Sequence, residues 1–315
     1  VDMCKYVLKR LLYMFATMFV IITLTFAAMK AIPGDPIAAK YDKASPEVRT
    51  RIEKIYGLDK SKTEQYFVYI KNILRGKWGL SITQPSKTAN KIIEETAPAS
   101  ARLGVTALVW GLLIGVICGI ISGAKRNSIW DIMITIITTL GIAVPNFVVA
   151  SVLQYTFTYR FPILPPIGWE THGSWLIPDR YIILPAVALA FGSIATYSKY
   201  MRESVTEVLK EDYVLLARAK GLSKNKIMLK YVLRNAILPI VTISAQQVAM
   251  LLTGSVVIES IFSIPGIGKY FVNSVTQRDY TVIMAVTIFY SFIYMLSMFV
   301  MDLLYYKVDP RIRLE

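Results

Sequence analysis

Six segments of this chain lack charged side chains over lengths that suit a membrane crossing. The hydrocarbon core of a bilayer is about 30 Å thick and takes about 20 helical residues to cross. The segments of that length are Leu11–Met29, Leu103–Ala124, Ile132–Tyr159, Tyr181–Ser198, Ala236–Ile258 and Tyr280–Met301. Because lipid offers no hydrogen-bond partners to the backbone, each segment must satisfy its own peptide groups, as an α-helix does. The sequence therefore predicts an all-α polytopic membrane protein with six transmembrane helices.

Composition and charge agree with a membrane protein. Hydrophobic residues make up 55% of the 315 positions and charged residues 18%, which is too apolar for an ordinary soluble domain of this length. The formal net charge of +14 would also suit a protein that binds nucleic acid. The basic residues, however, are sorted by loop, and this sorting favours membrane topology over nucleic acid as their explanation.

The largest cluster of basic residues lies in one loop. Nine lysines and arginines lie between Lys199 and Arg234, within a segment called here the basic loop (residues 199–235). The loops Arg160–Arg180 and Glu259–Asp279 each carry two basic and two acidic residues. Since loops rich in lysine and arginine stay in the cytoplasm, this distribution predicts cytoplasmic termini and a cytoplasmic basic loop.

The predicted spans divide the chain into three parts. Residues 1–36 form a cytoplasmic N-terminus and the first transmembrane helix, which we expect to be a retained anchor. Residues 37–99 form a helical segment outside the cytoplasm. Residues 100–315 form a five-helix transmembrane core that contains the basic loop.

The segment 37–99 has the pattern of three amphipathic helices. The first begins at Ser45-Pro46 and ends at Gly57, and the second, which carries Tyr66 and Ile70, ends before Gly76. A third is expected to begin near Thr88 and to end ahead of Pro98. Such helices either pack onto the spans or contact a partner protein.

The second span carries a glycine at every fourth position: Gly111, Gly115, Gly119 and Gly123. On a helix this spacing forms a nearly bare ridge, and such ridges let a neighbouring membrane helix approach closely. We therefore expect a tightly packed helix along this ridge.

Uncharged polar side chains within or beside the spans are candidates for the lining of a transport pathway: Asn146, Gln154, Ser244, Gln246, Gln247 and Thr253. Pro145 loosens the helix beside the first of these. Amides inside a membrane either hydrogen-bond to neighbouring helices or line a polar pathway, and both interpretations stay open. A pathway of amides and hydroxyls would suit a peptide backbone.

The basic loop has the pattern of two helices joined by a turn. The first helix repeats apolar residues on one predicted face: Leu209, Tyr213, Leu216 and Ala217. Gly221 supplies a helix end, and Ser223 can cap the start of the second helix. Leu238-Pro239 marks the entry into the next span.

The run Ala217-Arg218-Ala219-Lys220-Gly221-Leu222-Ser223, followed by Leu233–Pro239, resembles the cytoplasmic coupling loop of ABC importer permeases. The likeness is strongest to the oligopeptide, dipeptide and nickel family. The wider superfamily has Glu-Ala-Ala before the glycine, where this chain has Leu215-Leu216-Ala217, a departure that looks like the peptide branch. Three other stretches resemble signatures of the family: Ile32–Pro36, Glu259–Gly268 and Asp309–Arg313.

This resemblance implies a type I ABC importer permease fold in a bacterial or archaeal cytoplasmic membrane. It implies half of a translocation pathway for dipeptides or oligopeptides, completed by a second homologous permease. It also implies two ATP-binding subunits that carry ATP and Mg, an extracytoplasmic substrate-binding protein, and surrounding membrane lipid. Nickel or metal-chelate import, which close relatives perform, is an alternative.

By the same resemblance, the residues that couple the chain to an ATPase are Ala217, Arg218, Ala219, Lys220, Gly221, Leu222, Ser223 and Lys226. The helix after Gly221 would dock in a cleft of the ATPase. The basic side chains would pair with acidic groups there, or with anionic lipid headgroups.

We expect the chain itself to bind no ATP. The run Gly266-Ile267-Gly268-Lys269 is not a phosphate loop, because that motif needs glycine where Ser263 stands and serine or threonine where Tyr270 stands. If ATP is used, a separate subunit must hydrolyse it.

We likewise expect no catalytic residue, cofactor or metal in this chain. Cys4, Cys118 and His172 have no neighbouring ligand set. An intramembrane protease would need a carboxylate pair in mid-span or a Gly-x-Ser-x-Gly elbow. An ATP-independent carrier or channel is a more distant alternative, although carriers often keep ionisable groups in mid-membrane, and this chain keeps them at span ends.

Overall fold

The computed structural model describes residues 3–33, 37, 41, 44–171, 173–175, 177–252 and 256–308. These residues form helices and no named strand; Leu80 and Thr88 make an isolated bridge. The all-α prediction is confirmed. Several sequence features lie outside the described residues: 34–36 and 309–313 of the family-like signatures, His172, and the pathway candidate Thr253.

The helices follow one another in the order α1 Met3–Ala31, α2 Pro46–Tyr56, α3 Lys62–Leu74, α4 Ala89–Ala124, α5 Ile129–Ala143, α6 Asn146–Gln154, α7 Ile183–Val208, α8 Asp212–Ala219, α9 Lys224–Ile227, α10 Leu233–Ala236, α11 Leu238–Leu252, α12 Val256–Ile261, α13 Ile267–Thr276 and α14 Tyr280–Val308. Two π-helical turns, Tyr155–Arg160 and Met228–Val232, follow α6 and α9.

The chain divides into two compact units. Among the described residues, one unit comprises those within 3–100 and 265–295, and the other comprises those within 101–264 and 296–308.

Three helices among the described residues are long and apolar enough to cross a membrane: Lys5–Ala31, Ala89–Ala124 and Tyr280–Leu303. Two bent pairs bring the number to five when each pair counts as one span: Ile129–Ala143 with Asn146–Arg160, and Lys224–Ala236 with Leu238–Val248. The predicted fourth segment lies in α7, whose later turns are polar. The chain is a multi-pass membrane protein, and the number of six spans stays a prediction.

The predicted third span is broken in the middle. α5 and the helical stretch from Asn146 to Arg160 meet at an angle of 111°. Val144 adopts an extended conformation with φ −90° and ψ 125°, as the residue before a proline tends to do. Pro145 lacks the N–H that would continue the helical hydrogen bonds. A single proline therefore turns one apolar segment into two helices.

In the first unit, α2 and α3 have the predicted ends. The Ser45 hydroxyl accepts a hydrogen bond from the Val48 N–H at 3.4 Å, and Gly57 ends α2 with a φ of 66°. α3 packs on the last turns of α1, where the Thr23 and Tyr66 hydroxyls are 2.7 Å apart. This contact agrees with packing of the segment 37–99 onto a span.

The predicted end of the third helix at Pro98 is wrong. α4 runs without interruption from Ala89 through Pro98 to Ala124. Buried apolar side chains hold the first turns in place, since Ile92 and Ile93 pack in one cluster with residues of α13 and α14. Tertiary packing thus outweighs the hydrogen bond that the proline removes.

A buried carboxylate fastens the segment before α4 to the start of α14. Asp279 accepts hydrogen bonds from the Ser81 hydroxyl at 2.5 Å and from the Thr83 N–H at 3.0 Å. Its other oxygen accepts from the Val282 N–H at 3.2 Å, in the first turn of α14. Negative charge is favourable at a helix N-terminus, which helps to stabilise this buried carboxylate.

In the second unit, the glycine ridge of α4 lies directly against α7. A Cβ atom on Gly115 would lie 2.7 Å from the Tyr197 Cβ and 2.8 Å from the Ile194 carbonyl oxygen. A Cβ atom on Gly119 would lie 2.5 Å from the Met201 Cβ. The close helix approach predicted from the ridge is confirmed.

We predict that Gly115→Leu destabilises the protein by about 3 kcal/mol, because a bulky side chain has no room between two backbones. Ala124→Leu adds bulk to an exposed position of the same helix and serves as the matched control. The measurement is the yield and melting temperature of the detergent-purified protein. Equal yields and melting temperatures for the two variants would contradict the close packing.

Candidate functional site

The turn in the basic loop is a Schellman motif at the end of α8. The Gly221 N–H donates to the Arg218 carbonyl oxygen at 2.9 Å. The Leu222 N–H donates to the Ala217 carbonyl oxygen at 3.3 Å. Gly221 has a φ of 73°, a conformation that glycine adopts without the strain caused by a Cβ atom. The predicted helix end is confirmed.

The second helix of the loop, α9, begins directly after this turn. Ser223 is extended and its carbonyl oxygen accepts from the Ile227 N–H at 3.0 Å, so it occupies the predicted N-cap position. The chain continues through a π-helical turn into α10. There the Asn235 side chain donates to the Tyr213 hydroxyl at 2.7 Å, which ties α10 back to α8.

An apolar cluster joins the basic loop to the spanning helices of its unit. Its buried members come from α7 to α11: Tyr197, Met201, Val205, Val214, Ala217, Ile227, Val232, Ala236 and Ile240. Leu112, Val116 and Ile120 of α4 pack against them. The basic loop and the neighbouring ends of α7 and α11 therefore share one packed apolar core.

Some of the predicted coupling residues are buried in the apolar cluster, and the others are exposed. Ala217 is 4% exposed and Leu222 is partly buried, so these two belong to the cluster. The others are exposed: Arg218, Ala219, Lys220, Gly221, Ser223 and Lys226. The exposed side of the loop is therefore a cationic surface with a turn at its centre.

The apolar face predicted for the first helix of the loop is confirmed at Ala217, which is buried in the cluster, and is wrong at Leu216. Leu209 belongs to the end of α7, because the chain leaves the helical conformation at Glu211 before α8 starts. Leu216 is 56% exposed, whereas Val214 is fully buried. Val214 and Ala217, three residues apart, form the face that packs on the cluster.

An ion pair that the sequence interpretation did not anticipate lies beside this cluster. The Asp131 carboxylate accepts hydrogen bonds from Arg202 Nε at 2.6 Å and from a terminal nitrogen of the same guanidinium at 2.9 Å. The Ser122 hydroxyl and the Asn127 N–H also donate to it, at 2.5 and 2.8 Å. The carboxylate thus joins the turn between α4 and α5 to α7. Its sequence signal is a pair of opposite charges near the ends of two predicted spans.

The structure brings two of the pathway candidates to one part of α7. The Gln247 side-chain oxygen accepts from the Ser193 hydroxyl at 2.7 Å. The Asn146 side-chain oxygen would be 3.5 Å from a Cβ atom on Gly192, the residue before Ser193. These two amides therefore border adjacent positions of the same helix.

The remaining candidates are dispersed. Gln154 donates to the Pro166 carbonyl oxygen at 2.7 Å and so fastens the following loop. Ser244 is buried and donates to the Ile240 carbonyl oxygen of its own helix at 2.7 Å. Gln246 is exposed on α11. Among the described residues, no group of three or more His, Cys, Asp or Glu side chains is placed to hold a metal ion.

The segment Glu259–Gly268 comprises the end of α12, a turn, and the start of α13. Glu259 is fully buried, and its carbonyl oxygen accepts from the Ile264 N–H at 2.8 Å. Ser263 has a φ of 54°, which gives the turn its left-handed residue. The Phe262 carbonyl oxygen accepts from the Gly168 N–H at 3.1 Å.

A multi-pass helical protein with this arrangement has the fold of an ABC transporter membrane subunit. It superposes with a TM-score of 0.52 on a chain of an inward-facing MetNI methionine ABC transporter and on a chain of an amino acid ABC transporter crystallised with histidines. Each match covers 69% of this chain, and 96% and 93% of those chains, at 14% and 15% identity. The chain belongs to the family of binding-protein-dependent transport system inner membrane components, whose sequence profiles match residues 3–88 and 111–314.

Curated relatives match nearly the full length. The dipeptide transport system permease protein DppB of Bacillus subtilis is 42% identical over 313 residues, 99% of each chain. The protein of the same name from Lactococcus lactis is 39% identical over 99% of this chain and 100% of its own. The oligopeptide transport system permease protein OppB of Haemophilus influenzae is 36% identical with the same coverage. The family resemblance stated from the sequence motifs is confirmed.

We predict that Asp131→Ala destabilises the protein by about 3 kcal/mol, because it leaves a partly buried guanidinium without its partner. Glu207→Ala removes an exposed carboxylate from α7 and should change stability by no more than about 0.5 kcal/mol. The melting temperatures of the two purified variants test this difference. Equal melting temperatures would show that the ion pair contributes nothing.

Proposed function

We propose that this chain is a permease subunit of an ATP-driven importer and forms half of a translocation pathway for dipeptides or oligopeptides. The family assignment supports the transport role, and the names of the relatives support peptide as the cargo. The observation that carries the coupling step is the position of the basic loop, exposed on one side and packed on α7 and α11 on the other.

The energy for transport comes from a separate subunit that binds ATP and Mg. That subunit docks on the exposed side of the basic loop, at the turn formed by Lys220, Gly221 and Ser223. When it closes, the loop moves, and the apolar cluster passes the movement to α7 and α11. The ATPase shifts the equilibrium between the two pathway states only if it binds them with different affinity. We propose that the difference in ATPase affinity between the two states arises at the basic loop.

The charge of the loop suits an acidic docking surface. Arg218, Lys220, Lys224 and Lys226 are exposed around the turn. Exposed ion pairs contribute little affinity each, but they orient partners and speed their association. Anionic lipid headgroups compete for the same side chains.

The remaining partners follow from the same proposal. A second homologous permease completes the pathway, two ATP-binding subunits drive it, and an extracytoplasmic binding protein delivers the cargo. The sorting of basic residues supports cytoplasmic termini and a cytoplasmic basic loop in a bacterial or archaeal cytoplasmic membrane.

The pathway is proposed to run beside α7. Asn146 and Gln247 border it there, and Gln246 presents an amide on the surface of α11. Gln154, Ser244 and Thr253 complete the set of candidates taken from the sequence. Amides and hydroxyls can exchange hydrogen bonds with peptide groups without fixing the side chains of the cargo.

The decisive experiment replaces residues 217–223 with a flexible linker. The chain is expressed with its genomic neighbours and purified from membranes. We expect the intact chain to retain an ATPase subunit and the linker variant to lose it, because the exposed turn is then absent. Reconstituted intact complex should transport dipeptides or oligopeptides in an ATP-dependent manner. Transport without ATP would favour the carrier alternative, and ATP-dependent uptake of nickel or a metal chelate alone would reassign the cargo.

The turn itself can be tested with two substitutions of one glycine. Gly221→Val should weaken ATPase association about 10-fold or more, because a β-branched residue is strained by about 1–3 kcal/mol at positive φ. Gly221→Asn is the matched control, since asparagine tolerates this conformation. Both variants should insert into membranes. Normal transport by Gly221→Val would show that the left-handed turn is not required for coupling.

A further inference from the structure

A cavity of about 390 Å³ lies within the first compact unit. Its walls are the last turns of α1, the end of α2, α3, the segment before α4, and the first turns of α14. This volume lies in the range of about 300–1,000 Å³ that is usual for small-molecule sites. The cavity shares no residue with the basic loop or the pathway candidates.

The cavity is positively charged. The described residues that line it include four lysines and no carboxylate: Lys30, Lys54, Lys60 and Lys77. None of the four forms an ion pair with a carboxylate of the described residues. Lys30 donates to the Gln65 side-chain oxygen and lies 5.6 Å from the centre of the Phe26 ring. Lys30 is half-buried and the other three lysines are exposed, and a lining with four lysines and no carboxylate attracts anions.

Aromatic side chains supply the other walls: Phe26, Tyr56, Tyr69, Trp78 and Tyr280. Burial, with smaller effects from Tyr41 and Asp279, raises the pKa of Tyr56 to about 12. Burial also raises the pKa of Tyr69. Both phenols are therefore neutral at physiological pH and leave the lysine charge uncompensated. Tyrosine and tryptophan are the residues typical of the membrane–water boundary.

The position of the cavity relates it to the membrane. Phe26, Met29 and Lys30 belong to the final turns of α1, where this candidate span ends. The same helix exposes apolar side chains along its length, among them Phe15, Phe19 and Leu24. A molecule that places an anion in the cavity can therefore lay hydrocarbon chains along α1.

We infer that this cavity binds the phosphodiester headgroup of an anionic membrane phospholipid, whose acyl chains lie against α1. Ammonium groups form short, charge-assisted hydrogen bonds with phosphate oxygens. The Tyr69 and Tyr280 hydroxyls are buried and have no hydrogen-bond partner among the described residues. A headgroup oxygen that reaches either of them would satisfy a group that is unfavourable to leave unpaired. This site does not depend on the cargo or on the ATPase.

The test measures lipid adducts of the full-length chain, purified from membranes, by native mass spectrometry. The probes are phosphatidylglycerol, phosphatidylcholine and inorganic phosphate. The site variant is Lys54→Gln/Lys77→Gln. The control, Lys71→Gln/Arg75→Gln, removes the same charge from exposed residues of the same unit that do not line the cavity. A Lys54→Arg/Lys77→Arg variant keeps the charge.

We expect phosphatidylglycerol to bind the intact chain, the control and the arginine variant, and to bind the site variant at least about 10-fold more weakly. Added salt should reduce the binding by screening. Equal binding to the site and control variants would overturn the inference, and so would equal binding of phosphatidylcholine. Displacement of the lipid by inorganic phosphate at equal concentration would identify free phosphate as the ligand instead. If the double site variant does not fold, the single variant Lys54→Gln takes its place. Weaker phosphatidylglycerol binding by Lys54→Gln would support the inference, and unchanged binding would overturn it.

Discussion

The close contact between α4 and α7 is the constraint on which the second unit depends. Four glycines of α4 face α7, and Gly141 of α5 approaches the same helix, where a Cβ atom would lie 2.7 Å from the Ala195 Cβ. Thirteen of the 26 residues of α7 are buried. Lipid chains are as apolar as the side chains of a membrane helix, so the hydrophobic effect does not drive two such helices together. Their association relies on close packing of this kind. α7 is therefore held between backbones that cannot move apart without losing those contacts.

The basic loop, for which we propose docking of an ATPase in the cytoplasm, also packs against α7. Met201 and Val205 of α7 continue into the cluster that holds Val214 and Ile227 of the loop. Arg202, between them in sequence, holds the turn before α5 through the Asp131 carboxylate. One helix thus contacts the loop, the broken third segment and the amide Gln247. Of the described pathway candidates, Asn146 and Gln247 border this helix at Gly192 and Ser193.

Local signals in the sequence located turns and caps well, but they failed where packing overrides them. Gly57 and Gly221 end helices at positions of positive φ, a conformation that glycine adopts without strain because it has no Cβ atom. Pro98 does not end a helix, because its neighbours Ile92 and Ile93 are buried in a larger cluster. The sequence pattern places Leu216 on the same face as Ala217, but Leu216 is exposed because α8 is a separate helix that starts only after the extended residue Glu211. Candidate pathway residues were found by polarity, but their neighbours depend on which helices meet.

The sequence by itself determined the helical class, the membrane location, the family, and the position of the glycine turn in the basic loop. These follow from composition, periodicity and short motifs, whose physical causes act over a few neighbouring residues. Only the tertiary structure decided that Asp131 binds Arg202, that Gln247 meets Ser193, and that four lysines from separate segments surround one cavity. Such contacts join residues far apart in the chain, and their formation depends on the packing of whole helices, which no local pattern contains.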